Sequence, residues 1–302
     1  MRKYLNANIA EKTAKIYRQK HNAYKKFCKQ LLLLRYSQKS ISMYASHLAD
    51  FNTYSYIIQC ITAIKYYMKR VRKPRKMLHL KQVLAGIKRC ISNHPVRPTR
   101  LPITPQKLTI IKRRLRRIIH NRHDRRLLWC ACLFAYFGFL RVSEYTNPKT
   151  WTHMKESRTL TWSRVTIKKN HIFIVLKKSK TDQTQHGTTV TIATNNTPSC
   201  PIKAYNKYIK VRGEHNGPFF QFKNRSFLTP QRFNKVIKKA LPAEAQGVYT
   251  SHSFRIGAAS TAAAQNYPNY IIQQLGRWTS DAYMRYIKIN QDFCTQVSHD
   301  LA

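Results

Sequence analysis

Residues 127–141 read LLWCACLFAYFGFLR, and this run decides where the centre of the fold lies. Apart from its last residue it is apolar almost throughout, with no polar face at helical spacing, so as a helix it is surrounded on all sides. It falls short of the ~20 residues that a helix needs to cross a bilayer, and no other uninterrupted apolar run in the chain comes near that length. The reading is therefore a buried core helix, opened by Asp124 and ending near Arg141, which leaves Arg141 as a charged residue at the edge of that core.

Upstream, Thr104 stands where a helix cap belongs, ahead of a helix running to about Ile119. Before it, HPVRPTRLPITP (94–105) carries four prolines, which block helix and favour a stiff, extended connector. The chain is expected to divide into a helical unit over 1–94, a proline-rich linker over 95–103 and a second unit over 104–302. In the first unit apolar residues recur at helical spacing, as in Tyr17, Tyr24 and Phe27, in Ile57, Ile61 and Ile64, and in Leu80, Val83, Leu84, Ile87 and Ile91. That pattern predicts about four helices, with Ser40 and Ser42 as helix starts and lysine or arginine on nearly every turn of the surface. Tyr54, Tyr56, Tyr66 and Tyr67 share the helical spacing and are expected in the core, not as stacking platforms for single-stranded nucleic acid.

Downstream of the apolar helix the period changes. RVTIKKNHIFIVLKK (164–178) and GTTVTIA (187–193) alternate β-branched with polar residues, which predicts two or three short strands with turns near Asn170 and Gly187. Helices resume over Cys200–Arg212, Thr229–Leu241 and Ser253–Asn266, followed by short segments to about Ile289. The expected architecture is mainly α with a small antiparallel β-sheet.

Charge narrows the function. The 302 residues include 56 Lys+Arg and 11 Asp+Glu, a formal net charge of +45, which implies a polyanionic partner. A membrane surface is the competing reading. Membrane binders, however, gather basic residues beside an apolar anchor or on one amphipathic helix, whereas here they run from Arg2 to Lys288. Nucleic acid is favoured, no membrane partner is expected, and without an apolar leader in MRKYLNANIAEK the protein is expected to be soluble and intracellular. The seven cysteines form no CxxC pair or zinc spacing and read as reduced, mostly buried thiols. With so few acidic residues, a site built from three metal-binding carboxylates is hard to assemble, and no GxxxxGK[ST] loop occurs. No metal and no other cofactor is expected.

Six residues in the second unit combine into a chemical proposal: Arg141 in LRVSE (140–144), Lys180 in SKTD (179–182), His252 and Arg255 in HSFRIGAAS (252–260), and Trp278 and Tyr286 in LGRWTSDAYMRYI (275–287). Singly, each has an ordinary reading. One cation among 56 is a surface residue, His252 a core histidine or cap, Trp278 core, and one of 18 tyrosines a packing residue. In this order and spacing, over about residues 104–289, they resemble the tyrosine recombinases, the phage integrase family, and within it the DIRS-like retrotransposons and Crypton elements of eukaryotes.

The resemblance places the family's first arginine on Arg141, its strand-turn lysine on Lys180 ahead of Lys177 and Lys178, its HxxR pair on His252 and Arg255, and its histidine-or-tryptophan on Trp278. Glu144 matches a supporting acidic position, and the nucleophile falls on Tyr286. Tyr283 is the rival, but the family's tyrosine follows the tryptophan position by about two helical turns and precedes an apolar residue, here Ile287, which selects Tyr286.

The residue types suit that chemistry. Arginine forks bind the non-bridging oxygens of a phosphodiester and stabilise the charge that gathers there. A tyrosine, with a reference pKa of about 10, needs a proton acceptor such as His252 as it attacks, and a lysine can protonate the departing 5′-oxygen. Trp278 shapes the pocket and offers its indole N–H to the phosphate. The resemblance further implies an N-terminal helical core-binding domain, a mixed α/β catalytic domain, and a clamp around double-stranded DNA. It also implies a homo-tetramer on two DNA sites, a 3′-phosphotyrosyl intermediate needing neither ATP nor a divalent ion, and nuclear location in a eukaryotic host. A catalytically silent DNA-binding relative, a type IB topoisomerase and a hairpin-forming telomere resolvase remain as alternatives.

Overall fold

In the N-terminal part, helices form where the apolar residues recur at every third or fourth position. They are α1 (Glu11–Gln30), α2 (Gln38–Ala49), α3 (Tyr54–Met68) and α4 (Leu78–Ile91). The computed structural model describes residues 8–69, 71, 77–91, 98–147, 160–177, 187–244 and 247–286, with the backbone alone for residues 282, 285 and 286. Two units, Met1–Val96 and Arg97–Ala302, make most of their contacts internally, and each encloses its own core. Among the described residues no helix is long and apolar enough to cross a membrane.

The first core is built on Tyr24, Ile41, Ile57, Ile61, Ile64 and Leu80. Its polar node is Tyr24, whose hydroxyl lies 2.9 Å from Ser40 Oγ and accepts from the Tyr36 N–H at 2.9 Å. Burial pushes that phenol up to about 12. Ser40 and Ser42 do not start a helix. Both are buried inside α2, and the cap is Ser37, whose Oγ accepts from the Ser40 N–H at 3.0 Å. The four tyrosines expected in the core flank it instead. Because α3 turns Ile57, Cys60, Ile61, Ile64 and Met68 inward, Tyr54, Tyr66 and Tyr67 are half-buried and Tyr56 is exposed with Lys20 Nζ 3.5 Å above its ring.

In the second unit α5 (Pro105–Ile118) is capped by Thr104, whose Oγ1 accepts from the Lys107 N–H at 3.4 Å. Residues 98–103 are no open linker. Thr99 and Leu101 exchange main-chain hydrogen bonds with Val248, and the Ile103 N–H donates to Ser253 O at 3.0 Å. Leu101 and Ile103 are buried, so the apolar residues between the prolines fasten this stretch to the second core. Gly257 permits that approach, since a Cβ there would overlap the Ile103 carbonyl.

α6 (Arg122–Phe137) is the central helix, buried from Leu127 to Tyr136 except at Trp129. It starts two residues before Asp124, because Asn121 Oδ1 accepts from the N–H groups of His123 and Asp124. It also stops before Arg141: Gly138 caps it and Phe139 turns left-handed at φ +48°. A one-turn helix, α7 (Val142–Tyr145), then begins with Arg141 as its cap residue. The sheet follows in the order β1 (Val165–Lys168), β2 (His171–Leu176) and β3 (Thr188–Ala193), antiparallel throughout. Val165 pairs with Ile174 and Ile172 with Ile192, which puts Val165, Ile172, Ile174, Leu176, Val190 and Ile192 on the core face. α8 (Pro201–Arg212), α9 (Pro230–Ala240), α10 (Ser251–Ala264), α11 (Asn269–Gly276) and a 3₁₀ turn (Asp281–Tyr286) complete the described unit. The fold is mostly helical with a small three-stranded antiparallel sheet.

Candidate active site

Three chain-distant segments meet at the C-terminal end of α6: the Gly138–Arg141 turn with α7, the first turns of α10, and the end of α11. Each carries residues singled out above. α10 begins two residues earlier than its sequence pattern suggested because Thr250 Oγ1 accepts from the His252 N–H and Ser253 Oγ accepts in turn from the Thr250 N–H at 3.0 Å. His252 thereby falls in the first turn and Arg255 in the second.

The ionic centre is Glu144, whose side chain is 3% exposed. Its Oε1 lies 3.0 Å from Arg141 Nη1, and its Oε2 lies 2.9 Å from Arg277 Nη2 and 2.8 Å from the Arg141 N–H. Arg141 Nη2 also donates to the Arg277 carbonyl at 3.2 Å. Arg277 returns across the gap, donating to the carbonyls of Gly138 and Phe139. It sits in the left-handed cap position after α11 at φ 54°, and its Nε is buried with no partner among the described residues. Arg277 was not singled out from the sequence, although it lies within LGRW. Arg141 keeps 19% side-chain exposure, so the side chain is held by Glu144 and the Arg277 carbonyl without being closed off from solvent.

Arg255 differs from the open fork expected of it. It is 1% exposed, its Nη1 donates to the Phe139 carbonyl at 2.6 Å and its Nη2 to the Gly276 carbonyl, and its guanidinium carbon lies 4.1 Å from the centroid of the Trp278 ring. Burial of a delocalised cation beneath an indole is favourable where main-chain acceptors satisfy its N–H groups. Trp278 also packs 5.7 Å from the ring of Tyr283, which is 2% exposed and part of the core.

His252 lies in a strongly positive field. Burial, then the charges of Arg100, Arg255 and Arg141, push its imidazole down to about 4 from 6.5. It is neutral at physiological pH, the protonation state a proton acceptor requires. Arg100, within the segment read as linker, is a second residue the sequence did not mark, and nothing separates it from the other cations there. The unfolded chain binds a proton on His252 below about 6.5 and the folded protein only below about 4, so this residue makes stability rise with pH across that window. A ring-proton titration by NMR should place its midpoint well below 6.5 in the free protein. Addition of a phosphate monoester should raise that midpoint, because an anion offsets the three guanidinium groups.

Gly276 is required by the indole, since a Cβ there would overlap the Trp278 ring. Gly276→Ala should displace Trp278 from Arg255 and slow any chemistry at the site by about tenfold to a hundredfold, with a shift in tryptophan emission as the independent readout.

The structure thus brings together Arg141, His252, Arg255 and Trp278, with Glu144 beneath them. Tyr286 is the last residue of the 3₁₀ turn that follows Trp278. Lys180, on the connection between β2 and β3, lies outside the described residues. Among the described residues no cluster of His, Cys, Asp and Glu has metal-holding geometry, and Cys28, Cys60, Cys130, Cys132 and Cys200 are buried free thiols with Cys90 exposed.

Residues 109–292 match the model of the phage integrase family. No curated protein matches the chain in sequence. Among solved structures, a lambda integrase(75-356) dimer bound to a COC′ core site superposes with a TM-score of 0.63 at 16% identity, over 95% of this chain and 93% of that one. The Tn1549 transposon integrase in complex with transposon right-end DNA gives 0.62 at 13% identity, over 98% and 95%. XerH recombinase bound to palindromic difH substrate gives 0.62 at 13% identity, over 92% and 75%.

Proposed function

The chain belongs to the phage integrase family, the tyrosine recombinases, and from that premise we propose that it is a site-specific DNA recombinase that integrates or excises a mobile element. The observation that carries the reading is the convergence of Arg141, His252, Arg255 and Trp278 from three distant segments onto one edge of the core, beside the turn that ends in Tyr286. The net charge of +45 supports double-stranded DNA as the partner, as do the DNA-bound lambda, XerH and Tn1549 structures. The lambda integrase tetramer on a Holliday junction, which matches with a TM-score of 0.60, supports assembly of four copies on two sites. The first unit serves as the core-binding half of a DNA clamp. The LGRW and MRYI segments favour a eukaryotic mobile element of the DIRS-like or Crypton kind, and hence action in a nucleus.

In the reaction the Tyr286 phenol oxygen attacks the scissile phosphorus, and its proton passes to His252. The bond from phosphorus to the 5′-oxygen breaks, and Lys180 protonates that leaving oxygen. The phosphodiester energy is kept in the 3′-phosphotyrosyl bond, so a 5′-hydroxyl from a second strand reverses the step without ATP. Arg141, the part-exposed guanidinium, meets the non-bridging oxygens, while Arg255 contributes charge from beneath the indole and fixes the two turns that frame the site. A phosphodiester anion offsets the guanidinium groups that hold His252 weakly basic, so the base strengthens only when DNA is in place.

The test uses the full chain and a library of nicked duplexes in which cleavage releases a short fragment and traps the covalent intermediate. An adduct that survives detergent, with a tryptic peptide carrying the nucleotide on Tyr286, is expected. Absence of any adduct across the library would overturn the reading in favour of a silent DNA-binding relative. Efficient relaxation of a plasmid lacking every recovered site would favour a topoisomerase.

A further inference from the structure

α5, the N-terminal half of α6 and α8 enclose a second basic locality, remote from the site above. Trp129 floors it, packed in part against the core. Lys112, Arg126, Lys203 and Lys207 stand around the indole in a hollow of about 360 Å³. A neighbouring hollow of about 330 Å³ shares Lys112, Arg126, Trp129 and Lys207 and adds Arg116, Arg122 and Arg125. Among the described residues no carboxylate lines either one. Arg126 precedes Gly138 by twelve residues on the same helix, about 18 Å along its axis, so this locality is separate from the Arg141 cluster.

Its geometry is held in place. Lys112 Nζ donates to the Pro198 carbonyl at 2.6 Å and lies over the Trp129 ring, 5.5 Å from its centroid, so the ammonium is held in place above the indole. The cations also oppose one another: burial, Lys207 and Arg116 push Lys112 down, and burial, Arg122 and Arg125 push Arg126 down. An anion relieves that repulsion, and one with charges spaced along a chain engages several cations at once. A half-buried indole among them reports on any anion that draws Lys112 from its ring.

We infer that this hollow is a second binding site for a chain of linked phosphates, supplied by a nucleic-acid strand or by a soluble polyphosphate. It is independent of the cleavage chemistry proposed above.

The full chain is titrated, at near-physiological salt, with inorganic triphosphate and separately with a short thymidine oligonucleotide. The readouts are calorimetry and the part of the tryptophan emission that disappears in Trp129→Phe. The expected result is saturable binding with a change in that emission. Combined Lys112→Gln, Arg126→Gln and Lys207→Gln should weaken it by about tenfold or more, while Lys168→Gln, Lys169→Gln and Lys223→Gln together should alter it by less than about twofold. Both triple variants should form the strand-cleavage adduct as the wild type does. A response to the oligonucleotide alone assigns nucleic acid, and one to triphosphate alone assigns a soluble polyphosphate. Equal weakening by the two triple variants means diffuse charge and overturns the site. So does an unchanged Trp129 emission at saturation, or tighter binding of poly-glutamate than of either phosphate ligand.

Discussion

Tyr286→Phe should slow covalent capture of DNA by at least about 10³-fold, whereas Tyr283→Phe should leave capture within a few-fold of wild type. The contrast rests on position. Tyr283 is 2% exposed and its ring lies in the core beside Trp278, so it cannot meet a phosphodiester without dismantling the packing that covers Arg255. Tyr286 follows one 3₁₀ turn later, as the last residue of that segment. Phenylalanine keeps the ring at either position and removes only the oxygen, so circular dichroism melts of both variants should match wild type. If Tyr283→Phe is the variant that loses the adduct, the nucleophile has been misassigned and the family register must be shifted by three residues.

Glu144→Ala should destabilise the second unit by about 3–5 kcal/mol and should also suppress adduct formation. One carboxylate, 3% exposed, faces two guanidinium groups. Its removal leaves Arg141 and Arg277 part-buried side by side without a counter-charge, the costly way to break an ion pair. It also deletes the acceptor that holds the Arg141 N–H, so α7 loses its cap and Arg141 its orientation. Glu144→Gln keeps the volume and part of the hydrogen bonding, and should fall between wild type and Glu144→Ala in both stability and capture. A denaturant midpoint for Glu144→Ala within about 1 kcal/mol of wild type would refute the idea that this carboxylate unites the site.

Much of the fold was legible from periodicity. The four N-terminal helices, the sheet over Val165–Ala193 and the central helix each carry a pattern with one dominant period. Helix ends were less legible, because a cap is a competition among nearby side chains. Ser37, Asn121 and Thr250 won over Ser40, Asp124 and Ser253 through bonds to specific N–H groups that no spacing rule ranks. The proline-rich segment is extended where it is described, as its prolines require, but the pairing of Thr99 and Leu101 with Val248 carried no mark in the sequence. At the site, the order of motifs located Arg141, His252, Arg255 and Trp278, yet could not tell an open guanidinium from a buried one. The roles of Arg100 and Arg277 depend on contacts across more than a hundred residues of chain, and in so basic a sequence neither stood apart from its neighbours.

Arg255 takes its anchors from main-chain carbonyls at Phe139 and Gly276. Every amino acid supplies a carbonyl, so the arginine makes no demand on the side chain at position 139, and at position 276 the demand for glycine comes from the indole instead. Under mutational drift the arginine is therefore held by its own bonds, while position 139 answers only to its left-handed turn and its place in the core. A framework tied together in this way can pass through long divergence with its geometry intact, and that is one physical route by which an architecture persists at 13–16% identity.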